Sequence, residues 1–127
     1  MKGFYGIFIE LKRDRYIKFS VGRGAHFKKG FYLYIGSAMG GMGRIIRYVG
    51  GKKKKKHWHI DYLLEFSVVR MVIFVPSEKR REEEIAKKMA SKFDYIKGFG
   101  STDTSADSHL FFSPFLDRLQ EEFLAFL

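Results

Sequence analysis

Two runs of aromatic and β-branched residues constrain this chain most: GFYGIFIEL at residues 3–11 and FYLYIGSA at residues 31–38. Such side chains suit a pleated, packed surface and lose rotamer freedom in a helix, so both runs predict strands. A period of two puts Tyr32 and Tyr34 on one face of the second strand and Phe31, Leu33 and Ile35 on the other. Between the runs, YIKFSVG reads as a further strand and GRGAHFKKG as a glycine-punctuated connection.

Downstream the pattern changes. MGGMG is a loop leading into a short helix from about Arg44 to Val49, with Arg44, Arg47 and Tyr48 on one side. GGKKKKK reads as an exposed loop, HWHIDYLLEF as a helix and VVRMVIFV as a buried strand. PSEKRREEEIAKKMASKF predicts a helix capped by Ser77, with acidic early turns that suit the positive end of a helix dipole. After the polar loop KGFGSTDTSADS, SPFLDRLQEEFLAFL predicts a terminal helix with Ser113 as N-cap and Pro114 at its first position. No repeat or linker interrupts the order, and 127 residues suit one core, so residues 1–127 predict a single α/β domain.

Charge divides the chain. Residues 1–60 hold 15 Lys or Arg against 2 acids, whereas residues 61–127 hold 9 against 12. A basic half is the electrostatic signature of a polyanion partner. The five cations Lys52, Lys53, Lys54, Lys55 and Lys56, with Arg47, suit contacts to a phosphate backbone that are blind to sequence. Without cysteine there are no disulfides, zinc ribbons or thiol chemistry, and metal ligands are restricted to His, Asp and Glu. The absence of Asn and the abundance of Lys and Glu hint at a thermophilic source. No run reaches the ~18 apolar residues of a membrane span, and the first residues lack a signal-peptide cleavage pattern. A soluble, cytoplasmic protein with no membrane partner is the expectation.

One carboxylate is singled out by geometry. At ~100° per residue, Ile85, Ala86, Met89, Ala90 and Phe93 form an apolar stripe, and Glu82 falls near its centre while Glu83 and Glu84 point away. An inward carboxylate is costly without a partner, a hydrogen bond or a metal. A first-turn Glu reaching to solvent from the edge of the core is the other reading. The glycine loop GSAMGGMGR lacks the Lys-Ser/Thr pair of a nucleotide P-loop. In HWHID, His57, His59 and Asp61 resemble the ligand string of metallo-β-lactamase-type hydrolases. Tyr62 stands where that string continues with His, and on a helix only His57 and Asp61 share a face. His109 and Asp103 lie in or beside a polar loop.

In order, the opening GFY, YIGSA, the Arg44 helix, HWHIDYLLE, the E-x-x-I-A helix and GFGSTD…SHLFF resemble the GIY-YIG nuclease superfamily. The likeness is to its small stand-alone branch, labelled Uri-type endonuclease or a domain of unknown function (DUF123), over about residues 3–112. It implies an α+β fold: a small, mostly antiparallel sheet with an extra inserted hairpin, flanked by helices, with residues 113–127 as an amphipathic terminal helix. It implies metal-dependent hydrolysis of DNA, branched or otherwise structured DNA included, to a 5′ phosphate and a 3′ hydroxyl. By that resemblance Tyr5 and Tyr34 are the two family tyrosines, Arg44 clamps phosphate, His57 precedes the next helix, and Glu82 binds one Mg²⁺ or Mn²⁺. Tyr5, alone or through Tyr34 or His57, then orients or deprotonates the attacking water.

Tyr5 and Tyr34 stand 29 positions apart, farther than in most members, and the inserted segment reads as an extra strand or hairpin. The late Asn of many members is missing, leaving Asp103 or His109 to stand in. A non-catalytic basic nucleic-acid-binding module on the same fold is the competing reading. A third has the domain as a monomer or weak homodimer joined through Phe115, Leu116, Leu119, Phe123 and Leu127.

Overall fold

The computed structural model describes residues 1–40, 43, 45, 56, 58–101 and 104–127. The first run forms β1, Gly3–Leu11, an inner strand of the sheet that is buried along nearly its whole length because its side chains are apolar on both faces. Next come β2, Arg15–Ser20, and β3, Arg23–Phe27, and then β4, Gly30–Ser37. A short helix α1, His59–Leu64, precedes β5, Val68–Pro76, and α2, Glu82–Ala90. The chain closes with β6, Asp94–Tyr95, β7, Leu110–Ser113, and α3, Leu116–Leu124.

Five strands make one antiparallel sheet in the order β5-β1-β4-β7-β6, while β2 and β3 form a separate two-stranded ribbon. This is the expected α+β fold with an inserted hairpin. The hairpin's second strand, β3, lies in the glycine-punctuated segment GRGAHF. The strand holding Tyr34 pairs with the strand holding Tyr5, with Ile7 opposite Tyr34 and Tyr5 opposite Gly36.

Period-two alternation divides the core into two clusters. On one face Tyr5, Ile7, Ile9, Leu11, Tyr32 and Tyr34 pack beneath Ile17, Phe19 and Phe27 of the ribbon and Ile60 and Leu63 of α1. On the other, Phe4, Phe8, Leu33 and Ile35 pack beneath Ile85, Ala86 and Met89 of α2 and Leu119 and Phe123 of α3. The sheet is therefore the middle of three layers.

Four sequence expectations shift. VVRMVIFV is an edge strand with half-buried side chains rather than a fully buried one. Its register slips between Phe8 and Ile9, which pushes Arg70 out to pair with Glu10 at 3.4 Å. Ser77 does not cap α2. Its N–H bonds to the Lys2 carbonyl at the sheet edge, its hydroxyl closes a turn onto Lys79, and the helix starts only at Glu82. Ser113 likewise stays in β7 opposite Phe31, so α3 begins at Leu116, beyond Pro114. The terminal stripe divides: Leu119 and Phe123 are buried on the sheet, while Phe115 and Leu127 are exposed. Among the described residues, no helix is long and apolar enough to cross a membrane.

Candidate active site

β7 runs beside β4 only as far as Leu110, opposite Tyr34. Beyond that point the chain before β7 turns away, and a cleft of about 700 Å³ opens between the end of β4, the start of α2 and the residues Gly100, Thr104 and His109. Tyr34, Ser37, Arg80, Glu82, Thr104 and His109 line it. Tyr34 comes from one face of the sheet and Glu82 from the layer on the other, so the gap is where the two meet.

Glu82 sits in the first turn of α2 at 9% exposure. One carboxylate oxygen, Oε1, lies 3.6 Å from the Arg80 guanidinium. The other, Oε2, is buried with no hydrogen-bond partner among the described residues. Arg80 is itself largely exposed and also reaches the Ser37 hydroxyl at 3.3 Å. An exposed cation at that distance contributes little, so the carboxylate is left short of compensation. Glu83 faces the same cleft but is occupied, accepting the Ser105 hydroxyl at 2.9 Å and its N–H at 3.2 Å. Those bonds, with Lys87 nearby, hold its carboxyl below the usual range and tie the 104–107 turn to α2.

His109 is buried, and its Nδ1 lies 3.0 Å from the Ile35 carbonyl. A carbonyl only accepts, so Nδ1 carries the proton and the neutral ring keeps its lone pair on Nε2. Nε2 faces the Thr104 hydroxyl at 3.4 Å. The backbone at Gly100, in the left-handed region at φ +70°, turns the chain into contact with His109 and so close against Tyr34 that a side chain would collide with its ring.

Tyr5, on the same sheet face as Tyr34, is fully buried and stands outside the lining of the cleft. Its phenol lies beneath Gly36, where a Cβ would approach the oxygen to 2.3 Å, and its ring is 6.4 Å from that of Tyr34. Tyr32 is not a competing base. Its hydroxyl donates to the Lys28 carbonyl at 2.6 Å, and burial pushes it far above an ordinary phenol.

His59 and Asp61 do not form a metal string. The Asp61 Oδ2 accepts the Trp58 N–H at 3.0 Å, which fastens the start of α1. His59 Nδ1 accepts the Gly100 N–H at 2.8 Å, with its ring between Phe19 and Phe99. Among the described residues no group of three His, Cys, Asp or Glu is placed to hold a metal together. Lys56 is exposed and paired with Glu65 at 2.6 Å. Arg44, Arg47, Lys52, Lys53, Lys54, Lys55, His57 and Asp103 lie outside the described residues. Arg80, Ser37, Thr104 and Glu83 escaped the sequence reading, since Arg80 and Glu83 look like any other charge in EKRREEE. His109 entered it only as an accessory.

Burial and the Arg23 charge push His59 below its ordinary value of 6.5. The stability it contributes is complete above that value and is lost as pH falls through it toward the folded-state value. Thermal melts between about pH 7.5 and pH 5 are expected to show a declining midpoint that flattens in His59→Gln. An identical slope in both proteins would refute the assignment.

No curated protein and no solved structure matches the chain. A sequence model of one family matches residues 4–127, nearly the whole length. The chain therefore belongs to the family described as Domain of unknown function DUF123.

Proposed function

We propose that this protein is a metal-dependent endonuclease of the GIY-YIG type that hydrolyses DNA phosphodiester bonds in the cleft around Glu82. The observation that carries the reading is the buried Glu82 carboxylate, with Oε2 unpartnered among the described residues and a cleft beside it. An oxygen donor of this kind, with water to complete a shell, fits a hard cation such as Mg²⁺ or Mn²⁺. Glu82 would be its protein ligand. Bound there, the ion supplies charge neutralisation at the scissile phosphate and its leaving oxygen.

The chain's own groups do the rest. The Tyr34 hydroxyl orients the attacking water, and the Nε2 lone pair of His109 receives a proton from it. Tyr5, packed on Tyr34, fixes that ring. Arg80 holds a non-bridging phosphate oxygen from the cleft rim, with Arg44 added on the resemblance alone. His109 thereby fills the place of the missing Asn.

A supercoiled plasmid incubated with Mg²⁺ or Mn²⁺ tests this. Nicking by the wild type that is lost in Glu82→Gln and reduced in His109→Ala is the expected result. Nicking that both variants retain would sink the assignment. Binding without cleavage under either metal would instead favour the non-catalytic module.

A further inference from the structure

The ribbon inserted between the two tyrosine strands carries its own surface. Residues 12–29 hold seven Lys or Arg against the single Asp14, and all seven cations are exposed. Asp14 is occupied at the base of the ribbon, accepting the Lys29 N–H at 2.7 Å. Ile17, Phe19 and Phe27 face inward and are buried, which turns Tyr16, Lys18 and His26 outward. Tyr16 is 52% exposed, pairs edge-to-face with His26 at 5.0 Å, and rests its phenol over Gly24. A Cβ on Gly24 would come within 2.6 Å of that oxygen, so the glycine provides the seat for the ring.

We propose that the outer face of this ribbon is a platform for a single DNA strand, with Tyr16 stacked on an unpaired base and Lys18 and Lys28 against the phosphates. An exposed ring flanked by cations suits an unstacked base, whereas a duplex keeps its base faces covered and uses the cations alone. The ribbon also leads to the site. At one end Arg23 packs on Gly98, two residues from Gly100 in the wall of the Glu82 cleft. At the other, His26 and Lys28 border a second cleft of about 560 Å³ with Tyr95 and Phe112 in its wall and the Asp94 carboxylate beside them. A strand lying along β3 thus passes from the cleft over aromatic and cationic side chains.

This inference rests on the DNA-cleavage reading for its substrate, but the test needs no turnover. Fluorescence anisotropy with labelled oligothymidylate in EDTA, and with the same strand annealed to its complement, compares wild type, Tyr16→Leu and Tyr16→Phe. Tyr16→Leu is expected to weaken single-strand binding about 5- to 20-fold, with duplex binding and the salt slope unchanged. Tyr16→Phe should keep wild-type affinity, because its ring is retained. Lys18→Gln with Lys28→Gln should instead flatten the single-strand dependence of log K on log salt by about 1.4. Wild-type affinity in Tyr16→Leu, or equal losses for single strand and duplex, would overturn the platform, as would a matching loss in Tyr16→Phe. The binding assay holds no metal and reads no turnover, so failure of the cleavage reading, seen on the plasmid, and failure of the platform, seen with Tyr16→Leu, are separate results.

Discussion

Glu82→Gln is expected to lower metal-dependent cleavage about a thousandfold while leaving the fold intact. A ligating carboxylate brings the charge that holds a hard cation, and an ion at a reacting phosphate contributes several kcal/mol. At about 1.4 kcal/mol per factor of ten, that corresponds to roughly three powers of ten. The amide has nearly the same shape, so the buried position at the start of α2 stays filled. Stability should hold or rise. Removing a buried, uncompensated carboxylate relieves a desolvation cost, and the exposed Arg80 loses little when its partner becomes neutral. A gain of about 1 kcal/mol would raise the thermal midpoint by about 2–4 °C. Saturating Mg²⁺ should further raise the wild-type midpoint but not that of the variant, because only the ion's binder gains by mass action. A large fall in midpoint would mean that Glu82 is structural, and unchanged cleavage would remove it from the chemistry.

Phe123→Ala is expected to be the most damaging single truncation, at about 3–5 kcal/mol. The ring is fully buried, meets Phe4 at 6.1 Å and Phe8 at 5.8 Å edge-to-face, and covers Gly6, whose missing side chain makes room for it. Such aromatic pairs add about 0.5–1.5 kcal/mol beyond their buried area. Urea denaturation should show the loss at an unchanged slope and at every protein concentration. Phe115→Ala and Leu127→Ala, at exposed positions of the same segment, should stay within about 0.5 kcal/mol. A midpoint that varies with protein concentration would instead assign the terminal helix to a dimer interface.

Local pattern was enough for the elements that period two or the helical repeat writes into the chain. The alternation of Tyr32 and Tyr34 against Leu33 and Ile35 is reproduced as two separate clusters on opposite faces of the sheet. The inward direction of Glu82 followed from its angle to Ile85 and Met89, since both lie within one helix. Where backbone hydrogen bonds between distant segments compete with a local signal, the local signal failed. Ser77 is a good cap by type, yet its N–H is used by Lys2. Val68–Pro76 is apolar enough for a central strand, yet no strand pairs with its outer edge among the described residues.

The same division runs through the candidate site. From the chain alone came the two strands bearing Tyr5 and Tyr34, the basic half, and Glu82 as the carboxylate of interest, because each depends on neighbours a few residues away or on summed charge. Only the tertiary structure put Tyr34, Arg80, Glu82 and His109 around one cleft and Tyr5 outside its lining. It also gave His109 its tautomer, through a carbonyl 74 positions earlier in the chain, and set Tyr16 over Gly24 on an outward face. These depend on which strand ends first and which loop turns back. Such outcomes are set by contacts between segments far apart in sequence, to which no local periodicity is sensitive.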